Sequence, residues 1–490
     1  MKHRGRHRRR RRGRALRASL AGTALALTAA ATLISTSQAA GGETPGALSS
    51  ITSAGELRSL QLRETLTDRT ELHTLANEMG GGVGVDEVLR SANHAMRNEG
   101  DCFATEKDNL PVEPVSARAY CWEPGDAVSD KWVPRSVTTS RNNQVIASGW
   151  THSGVESDTP GGDTTSADGT GTAGAGTAGR GTDGAGADGT GTGATDDEGL
   201  ARVAFVDASD PANLRYRWVL LVVPTAGAQG FEGLRSRLGG MAWYEDKLIV
   251  TARGPESRGR QDDSLYVFDL ARFLRPDVTD SDVIGRTGDG WSAHHYRYAL
   301  PAVAAYTPPA GGGCDARDND GVPCFGSLSL DRTLTPPTVV ANERFRPSRE
   351  EPARVWRYAL DITGDRTGLL TTTGRESSTV ATEAYETEAT GVRGVLAHKG
   401  DWYVDQAAEK RDEHGTLWRQ DEDGAEAVKC PEGASSGKSG SDLESYACWG
   451  RHTASLSYSP ETGEMWTLTG PVPERVLYAV KLSDVDSALS

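Results

Sequence analysis

LGGMAWYEDKLIVTARG, residues 238–254, joins two short apolar runs through the turn-forming pair Glu245-Asp246. Each run has the length and the Val, Ile, Trp and Tyr content of a β-strand, and turn formers between two such runs are typical of a β-hairpin. A third strand-like run, SLYVFDL at 264–270, begins ten residues after this stretch ends. The stretch therefore predicts an antiparallel unit of three strands.

The same order of three strand-like runs occurs five times along the chain. The first runs are RSVTTS (135–140), GGMAWY (239–244), GSLSLD (326–331), RGVLAHKG (393–400) and ASLSYSP (454–460). The second runs are QVIASGW (144–150), KLIVTAR (247–253), PTVVANE (337–343), DWYVDQA (401–407) and EMWTLTG (464–470). The third runs are ARVAFVDA (201–208), SLYVFDLA (264–271), RVWRYALD (354–361), GTLWRQDE (415–422) and RVLYAVKL (475–482). Candidates for a fourth strand are YRWVLLVV (216–223), HYRYALPAV (295–303), TGLLTT (367–372) and EAVKC (426–430).

Repeated four-stranded meanders predict an all-β fold, a β-propeller of about five four-stranded blades, with room for a sixth in the divergent segments. The last repeat has no good fourth strand after it, whereas SARAYCW (116–122), just before the first repeat, is unassigned. A blade shared by both ends of the repeat region would remove two open sheet edges. The alternative is a β-sandwich with separate hairpins, and the regular triplets favour the propeller.

A family resemblance agrees with this interpretation. The units GGMAWYEDKLIV…SLYVFDL and LSYSPETGEMWTLT…RVLYAVKL resemble those of uncharacterised secreted actinobacterial β-propeller proteins, in which a GG-hydrophobe-WY…LYV…VFDL blade and a closing LSY…WTLTE…RVVYAV blade recur. The resemblance covers residues 130–482 and implies a secreted propeller, without an assigned activity. Gly470 stands where the family pattern has an acid, so no role of that acid is carried over.

The N-terminus has the features of a secretory signal peptide. Ten Lys and Arg side chains within residues 1–40 are followed by Ala, Leu and Thr and then by small residues. The apolar part contains Arg17 and is rich in Ala and Thr, so it would span a bilayer poorly. We therefore expect cleavage after Ala39 or Ala40, a secreted, extracellular protein and no membrane span in the mature chain.

Charge restricts the partners of the mature chain. Residues 1–42 carry ten basic and no acidic side chains, so removing them takes the formal net charge from −15 to −25. A surface this acidic repels nucleic-acid phosphates and anionic lipids, which argues against both as partners. It also favours neutral or cationic ligands over anionic ones.

All six cysteines lie in the exported part of the chain. An even number of cysteines outside the cell indicates disulfides, and six cysteines allow fifteen pairings. They occur as three local couples separated by long cysteine-free stretches, which favours sequential pairing. The predicted bridges are Cys102–Cys121, Cys314–Cys324 and Cys430–Cys448.

Two regions differ in composition from the repeats. Residues 157–199 contain no Leu, Ile, Val or aromatic residue and cannot offset the entropy of ordering by burial, so we expect a disordered insertion in the first blade. Residues 41–100 carry helical signals instead. Ser53 and Glu56 fit a capping box, and Leu72 and Leu75 share a helical face. A short helical N-terminal segment is therefore expected before a propeller that occupies residues 101–490.

Candidate metal ligands are few. The loop CDARDNDGVPC (314–324) offers three carboxylates that could contribute oxygens to Ca²⁺, but as an EF-hand loop it lacks two ligand positions. Ca²⁺ is thus the single candidate cofactor, and an acidic, disulfide-closed loop in water is the simpler interpretation. His294 and His295 would point to opposite faces of an extended strand and could not share a metal there. The three carboxylates belong to Asp315, Asp318 and Asp320.

Function is expected where the loops that enter the innermost strands converge. The repeat order places there Arg237, Glu388, Arg451 and His452 as weak ligand-binding candidates. The pattern favours a binding or scaffold protein that recognises an extracellular small molecule, glycan or protein at the channel face. The alternative is a propeller-type lactonase, lyase or hydrolase acting on an extracellular sugar or lactone.

A nucleophile motif was also considered. GASSG at 433–437 matches the pattern of a nucleophile elbow around Ser435, but it lies in a Gly/Ser-rich loop and not between a buried strand and a helix. No residue is therefore assigned a catalytic role from the sequence.

Overall fold

The computed structural model describes residues 44–153, 197–228, 230–255, 261–309, 313–316, 321–344, 352–408, 410–431 and 444–489. The signal peptide, residues 157–196 of the insertion, Asp318, Asp320 and Ser435 lie outside the described residues, and the predictions made for them stay predictions. Strands predominate over helices, as the repeats predict. No helix in the described part is long and apolar enough to cross a membrane.

Short helices and strands precede the first repeat. Ser53 Oγ accepts a hydrogen bond from Glu56 N at the start of the first helix, as its sequence predicts. Leu72 and Leu75 are buried on one face of the second helix. The helices are α1 (Ala54–Ser59), α2 (Arg69–Glu78), α3 (Val85–Arg90), α4 (Ala104–Lys107) and α5 (Pro124–Ala127), and the strands are β1 (Ser49–Ser50), β2 (Leu62–Leu66), β3 (His94–Ala95), β4 (Arg97–Asn98) and β5 (Arg118–Cys121).

The repeats form five antiparallel meanders. Meander 1 consists of β6 (Trp132–Thr139), β7 (Val145–His152), β8 (Ala201–Asp207) and β9 (Arg215–Pro224). Meander 2 consists of β11 (Met241–Tyr244), β12 (Lys247–Ala252), β13 (Ser264–Asp269) and β16 (Ala299–Thr307). Meander 3 consists of β17 (Phe325–Asp331), β18 (Thr338–Glu343), β19 (Ala353–Ala359) and β21 (Glu383–Thr387).

Meander 4 consists of β22 (Val392–His398), β23 (Asp401–Gln406), β24 (Thr416–Gln420) and β25 (Ala425–Ala427). Meander 5 contains β28 (Thr453–Ser459), β29 (Glu464–Thr469) and β30 (Val476–Lys481), followed by helix α6 (Leu482–Ala488). Small strands lie between or beside the meanders. They are β10 (Phe231–Gly233), β14 (Ile284–Arg286), β15 (Trp291–Ala293), β20 (Ser378–Thr379), β26 (Cys430–Pro431) and β27 (Glu444–Ser445).

The fourth strand of meander 3 is not where its sequence predicted it. TGLLTT (367–372) was expected to be this strand, but β21 pairs with β19 instead. Leu369 and Leu370 are buried in a loop and pack with Leu360 in the core between meanders 2 and 3. The apolar residues of this loop fill the core, and their sequence therefore resembles that of a strand.

Meander 5 is completed by a strand from before the first repeat. β30 pairs antiparallel with β5, with Val476 opposite Cys121 and Ala479 opposite Arg118. The fourth strand thus comes from the stretch SARAYCW, as the sequence analysis expected. β5 in turn pairs with β4.

The first strands of the meanders surround a narrow axis. β6 contacts β11 and β28, and β17 contacts β11 and β22, while β22 also contacts β28. Val395 N donates to Ser327 Oγ at 3.1 Å, which links β22 directly to β17. A Cβ atom on Gly240 would lie 2.3 Å from Leu328 N, so this position requires glycine. The five meanders have a β-propeller-like arrangement whose axis is filled by close strand contacts.

The N-terminal strands cover outer edges of the meanders. β1 pairs with β21, β2 pairs with β16, and β3 pairs with β9. The helical pattern of residues 41–100 did not indicate these strands, because most of them are only two residues long. They shield sheet edges that would otherwise be open to other chains.

Three disulfides pair the cysteines as predicted. The bridges are Cys102–Cys121, Cys314–Cys324 and Cys430–Cys448. The first ties α4 and its preceding turn to the closing strand β5. Each bridge closes a short loop, which stabilises the fold mainly by restricting the unfolded chain.

Candidate functional site

The first strands of all five meanders begin at one end of the sheets, which we call the entry-loop end. The register of β6 shifts between Pro134 and Ser136, and that of β22 shifts between Val392 and Gly394. The extra residue at each shift is Arg135 or Arg393. A β-bulge changes the direction of a side chain at the end of a strand, so both bulges present an arginine near the entry-loop end.

Several polar residues of meanders 4 and 5 meet at this end. Arg451 and His452 immediately precede β28, Thr453 is its first residue, and Glu474 precedes β30. Arg451, His452, Glu474 and Arg393 are half-buried, whereas Asp405 and Tyr478 are fully buried beneath them. We call this group the mouth cluster: Arg393, Asp405, Arg451, His452, Thr453, Glu474 and Tyr478.

Asp405 is the most unusual member of the mouth cluster. It lies in β23 with no exposed surface, and Thr453 Oγ1 donates to its Oδ1 at 2.8 Å. Its Oδ2 has no hydrogen-bond partner among the described residues. Burial raises the pKa of Asp405 to about 7, although the hydrogen bond from Thr453 and the charge of Arg393 act in the opposite direction. A carboxyl group in this state can either accept or donate a proton near neutral pH.

His452 and Glu474 form a second polar pair at the mouth. His452 Nε2 lies 3.4 Å from Glu474 Oε2, and the backbone of His452 has a φ of 53°. Burial lowers the pKa of His452, while the Glu474 carboxylate acts in the opposite direction. The pair offers a nitrogen and a carboxylate oxygen side by side at the surface of the cluster.

Gly450 allows the mouth cluster to pack tightly against Tyr478. A Cβ atom on Gly450 would lie 2.2 Å from the Tyr478 hydroxyl oxygen. Burial raises the pKa of Tyr478 well above its usual range, and the charge of Asp405 acts in the same direction. The tyrosine therefore stays neutral and keeps its hydroxyl proton.

The other predicted ligand-binding residues lie outside the mouth cluster. Arg237 N donates to both carboxylate oxygens of Asp262, at 3.0 and 3.1 Å, in the loop that leads into β11. Glu388 is exposed between β21 and β22, and no contact joins it to His452 in the part of the chain that the structure describes. The four candidates thus all precede first strands, but only Arg451 and His452 lie in one cluster.

Sequence reasoning missed five of the seven members of this cluster, which are Arg393, Asp405, Thr453, Glu474 and Tyr478. Arg393 stands at a bulge that no pattern indicates, and Glu474 lies in a turn. Asp405 had a detectable signal, because this acid in the strand DWYVDQA shares a face of the strand with the apolar residues Tyr403 and Ala407. A charged residue at a core position is uncommon unless it has a partner or a function.

The predicted metal candidates are only partly described. Asp315 lies in the loop closed by Cys314 and Cys324, while its two proposed partners fall outside the described residues. The expectation for His294 and His295 was wrong in its premise. Their φ values are 50° and 66°, so neither is extended, and their rings lie 5.7 Å apart.

Two cavities lie away from the mouth cluster. One of about 560 Å³ lies beside meander 2, where residues of β2, β13, β16 and the end of β9 line it, and most of its lining residues are apolar, such as Tyr266. The other, of about 270 Å³, lies at the end of the axis opposite to the entry-loop end. Arg141 and Glu461, which line the second cavity, form an ion pair of 3.0 Å.

Comparison with known proteins does not assign the chain to a family. No protein-family model and no curated protein matches the chain. Sqt1 from Chaetomium thermophilum is similar at a TM-score of 0.25 and 9% identity, with 72% of this chain and 62% of that chain covered. Trypanosoma rangeli sialidase in complex with 2,3-difluorosialic acid is similar at a TM-score of 0.30 and 7% identity, with 80% of this chain and 59% of that chain covered. The chain thus spans about three fifths of each of these structures.

Proposed function

We propose that this protein is a secreted five-bladed β-propeller that binds an extracellular ligand at the entry-loop end of its axis. The five meanders, with first strands in mutual contact, support the assignment of five blades. The signal-like N-terminus and the three disulfides support export, since disulfides persist in oxidising compartments. The axis is filled by strand contacts, so a ligand would bind at its mouth and not pass through it.

The observation that carries the proposal is the unsatisfied carboxyl of Asp405 beneath half-buried polar side chains. Buried polar groups are almost always hydrogen-bonded, and exceptions call for an explanation. Within the described residues, Asp405 Oδ2 and Glu474 Oε2 both make no hydrogen bond. A polar ligand or ordered water above Asp405 would supply the missing partner.

The chemistry of the mouth cluster favours a neutral ligand rich in hydroxyl groups. Arg393, Arg451 and His452 can donate hydrogen bonds, and the Glu474 carboxylate can accept them. A hydroxyl group both donates and accepts, so it matches such a mixed surface. The acidic net charge disfavours polyanions at long range, and the arginines disfavour cations at short range. A neutral glycan is therefore the preferred ligand class.

The test compares two half-buried histidines at opposite ends of the meanders. The mature protein is screened by calorimetry against neutral oligosaccharides of bacterial cell walls, lactones and cationic peptides. We expect His452→Ala to weaken binding of any ligand found by about tenfold, the cost of roughly one hydrogen bond to a polar ligand. His398→Ala is the matched control, because burial also lowers the pKa of His398, which packs on Tyr458.

Equal effects of the two variants, or an effect of His398→Ala alone, would move the binding site away from the mouth cluster. Circular dichroism of both variants establishes that each is folded. Glu474→Gln gives an independent measurement, since it keeps the shape of the side chain and removes the carboxylate.

A second candidate function is a lactonase, lyase or hydrolase acting on an extracellular sugar or lactone. The observation that favours it is the close pair His452 and Glu474 above a carboxyl whose pKa is about 7, because such groups suit acid–base chemistry. Turnover that is lost in Glu474→Gln, with binding retained, would favour the enzyme. Turnover lost in Ser435→Ala and retained in His452→Ala would instead restore the nucleophile motif.

A further inference from the structure

A second polar cluster lies where α5 meets the edge of meander 1. It is separate from the mouth cluster, although Arg475, which follows Glu474 in the chain, donates to the backbone oxygen of Asp126 at 2.7 Å. Glu123 is the N-cap residue of α5 and Asp126 lies in its first turn. His94 belongs to β3, where it pairs with Tyr216 of β9. His94 Nδ1 lies 2.5 Å from Glu123 Oε2 and 3.8 Å from Asp126 Oδ2. One ligand atom from each of the three side chains lies within 4.8 Å of the other two.

Neighbouring side chains hold two of these three groups, Asp126 and His94, in place. The Tyr216 hydroxyl donates to Asp126 Oδ2 at 2.5 Å, and Trp218 Nε1 donates to the same oxygen at 3.2 Å. Arg202 binds the other oxygen of Asp126, also at 3.2 Å. The His94 ring stacks on Tyr216 with 4.9 Å between centroids. Outer hydrogen bonds of this kind orient the ligands of metal sites and fix their geometry.

We infer that His94, Glu123 and Asp126 bind a first-row divalent metal ion of the Zn²⁺ or Mn²⁺ type. An imidazole nitrogen with two carboxylates suits these ions, whereas Ca²⁺ and Mg²⁺ prefer oxygen ligands alone. The ion would bind between His94 Nδ1 and Glu123 Oε2, where the two side chains meet. All six cysteines are in disulfides, so thiolates do not compete for the ion.

The bound ion would join parts of the chain that meet at the closure of the ring. β3 lies on the edge of meander 1, and α5 follows directly on the closing strand β5 of meander 5. An ion that binds only the folded protein stabilises it in proportion to the logarithm of its concentration above the dissociation constant. Zinc or manganese would thus raise the melting temperature of the mature protein.

The experiment uses the full mature protein after treatment with a chelator. Calorimetric titration with Zn²⁺ and with Mn²⁺ is done in about 0.15 M salt, which screens nonspecific attraction to the acidic surface. We expect saturable binding of one ion that Glu123→Gln and His94→Ala each weaken by about tenfold or more. Co²⁺ added in place of Zn²⁺ reports the ligand set through its visible absorption.

His295→Ala is the matched control. His295 Nε2 also contacts a carboxylate, that of Asp282 at 2.7 Å, but no third ligand belongs to that pair among the described residues. We expect this variant to bind the ion as the parent does. Glu123 is 44% exposed, so Glu123→Gln should fold even if His94→Ala does not.

Two results would overturn the inference. One is the lack of saturable binding of either ion. The other is binding that a folded Glu123→Gln variant retains at the affinity of the parent. If Asp318→Asn and Asp320→Asn abolished the binding instead, the ion would belong to the acidic loop between Cys314 and Cys324.

Discussion

Two fully buried aspartates lie near opposite ends of neighbouring meanders. Asp331, at the end of β17, accepts a hydrogen bond from Arg357 Nη1 at 2.8 Å and one from Thr333 Oγ1. Asp405, near the end of β23, has a single hydrogen bond, from Thr453. Both side chains are equally buried, so the difference between the two aspartates comes from their hydrogen-bond partners. The far end of the sheets has a buried aspartate paired with a guanidinium group, whereas the entry-loop end has a buried carboxyl group whose pKa is raised to about 7.

The largest loss of stability is expected when Asp331 loses its ion-pair partner, Arg357. Arg357→Met keeps an unbranched apolar side chain beside Trp402 but leaves the buried Asp331 without its cation. Breaking a buried ion pair on one side costs about 3–5 kcal/mol, and urea unfolding measures this loss. Loss of stability below about 1 kcal/mol would show that Asp331 does not depend on Arg357.

The second prediction is that Asp405 makes the stability of the protein depend on pH. Its pKa is raised in the folded state from 3.8 to about 7, so the folded protein keeps a proton that the unfolded chain loses. Stability contributed by this group is therefore present below pH 4 and is lost as pH rises toward 7, by up to about 4 kcal/mol. Asp405→Asn should lose less stability than the parent between these pH values.

Urea unfolding of parent and variant at several pH values gives this difference directly. Burial lowers the pKa of His414 to about 4, so the contribution of His414 to the stability of the protein increases over the same pH range. This increase is equal in the parent and the variant. Identical pH profiles for Asp405→Asn and the parent would contradict the contrast between the two aspartates.

A third prediction concerns the axis that joins the two ends. In Gly240→Ala the new methyl group would meet the backbone of β17, and overpacking of this kind costs about 1–3 kcal/mol. Gly424→Ala is the control, since no atom lies within 4 Å of its Cβ position. A thermal melt of Gly240→Ala that matched the control would mean that the axis has space for a side chain.

The smallest effect is expected for exposed charges at the far end. Arg141 and Glu461 form an ion pair of 3.0 Å, but their side chains are 66% and 47% exposed. Such pairs contribute about 0–1 kcal/mol, because water and salt screen them. Arg141→Met should therefore change stability by less than Arg357→Met does, and a comparable loss in both variants would remove the distinction between buried and surface pairs.

The repeats could be predicted because each strand carries its own pattern. GGMAWYEDKLIV alternates around a turn, and β11 pairs with β12 with Met241 opposite Val250. The closing strand was also predictable, since the apolar run at 116–122, before the first repeat, had no partner, and the last repeat had no fourth strand. TGLLTT was wrongly predicted as a strand, because buried loop residues are apolar just as buried strand residues are.

The site was less predictable, because it depends on contacts between separate repeats. Arg451 and His452 could be placed at the entry-loop end from repeat order alone. Their neighbours Asp405 and Glu474 come from other strands and turns, and their proximity depends on how meanders 4 and 5 pack. The cluster around His94 joins residues on either side of β4, α4 and β5, so no local spacing could indicate it.

The pairing of β5 with β30 also has a consequence for how the chain folds. Residues 118–121 find their sheet partner only when residues 476–481 have been synthesised, because β5 pairs with β30. The intervening repeats can each form hairpins locally, but the ring stays open until its last segment arrives. Until then, the edge of β5 that does not pair with β4 has unpaired backbone groups, which other chains could bind. The closing sheet thus forms only in a chain that contains both residues 118–121 and residues 476–479.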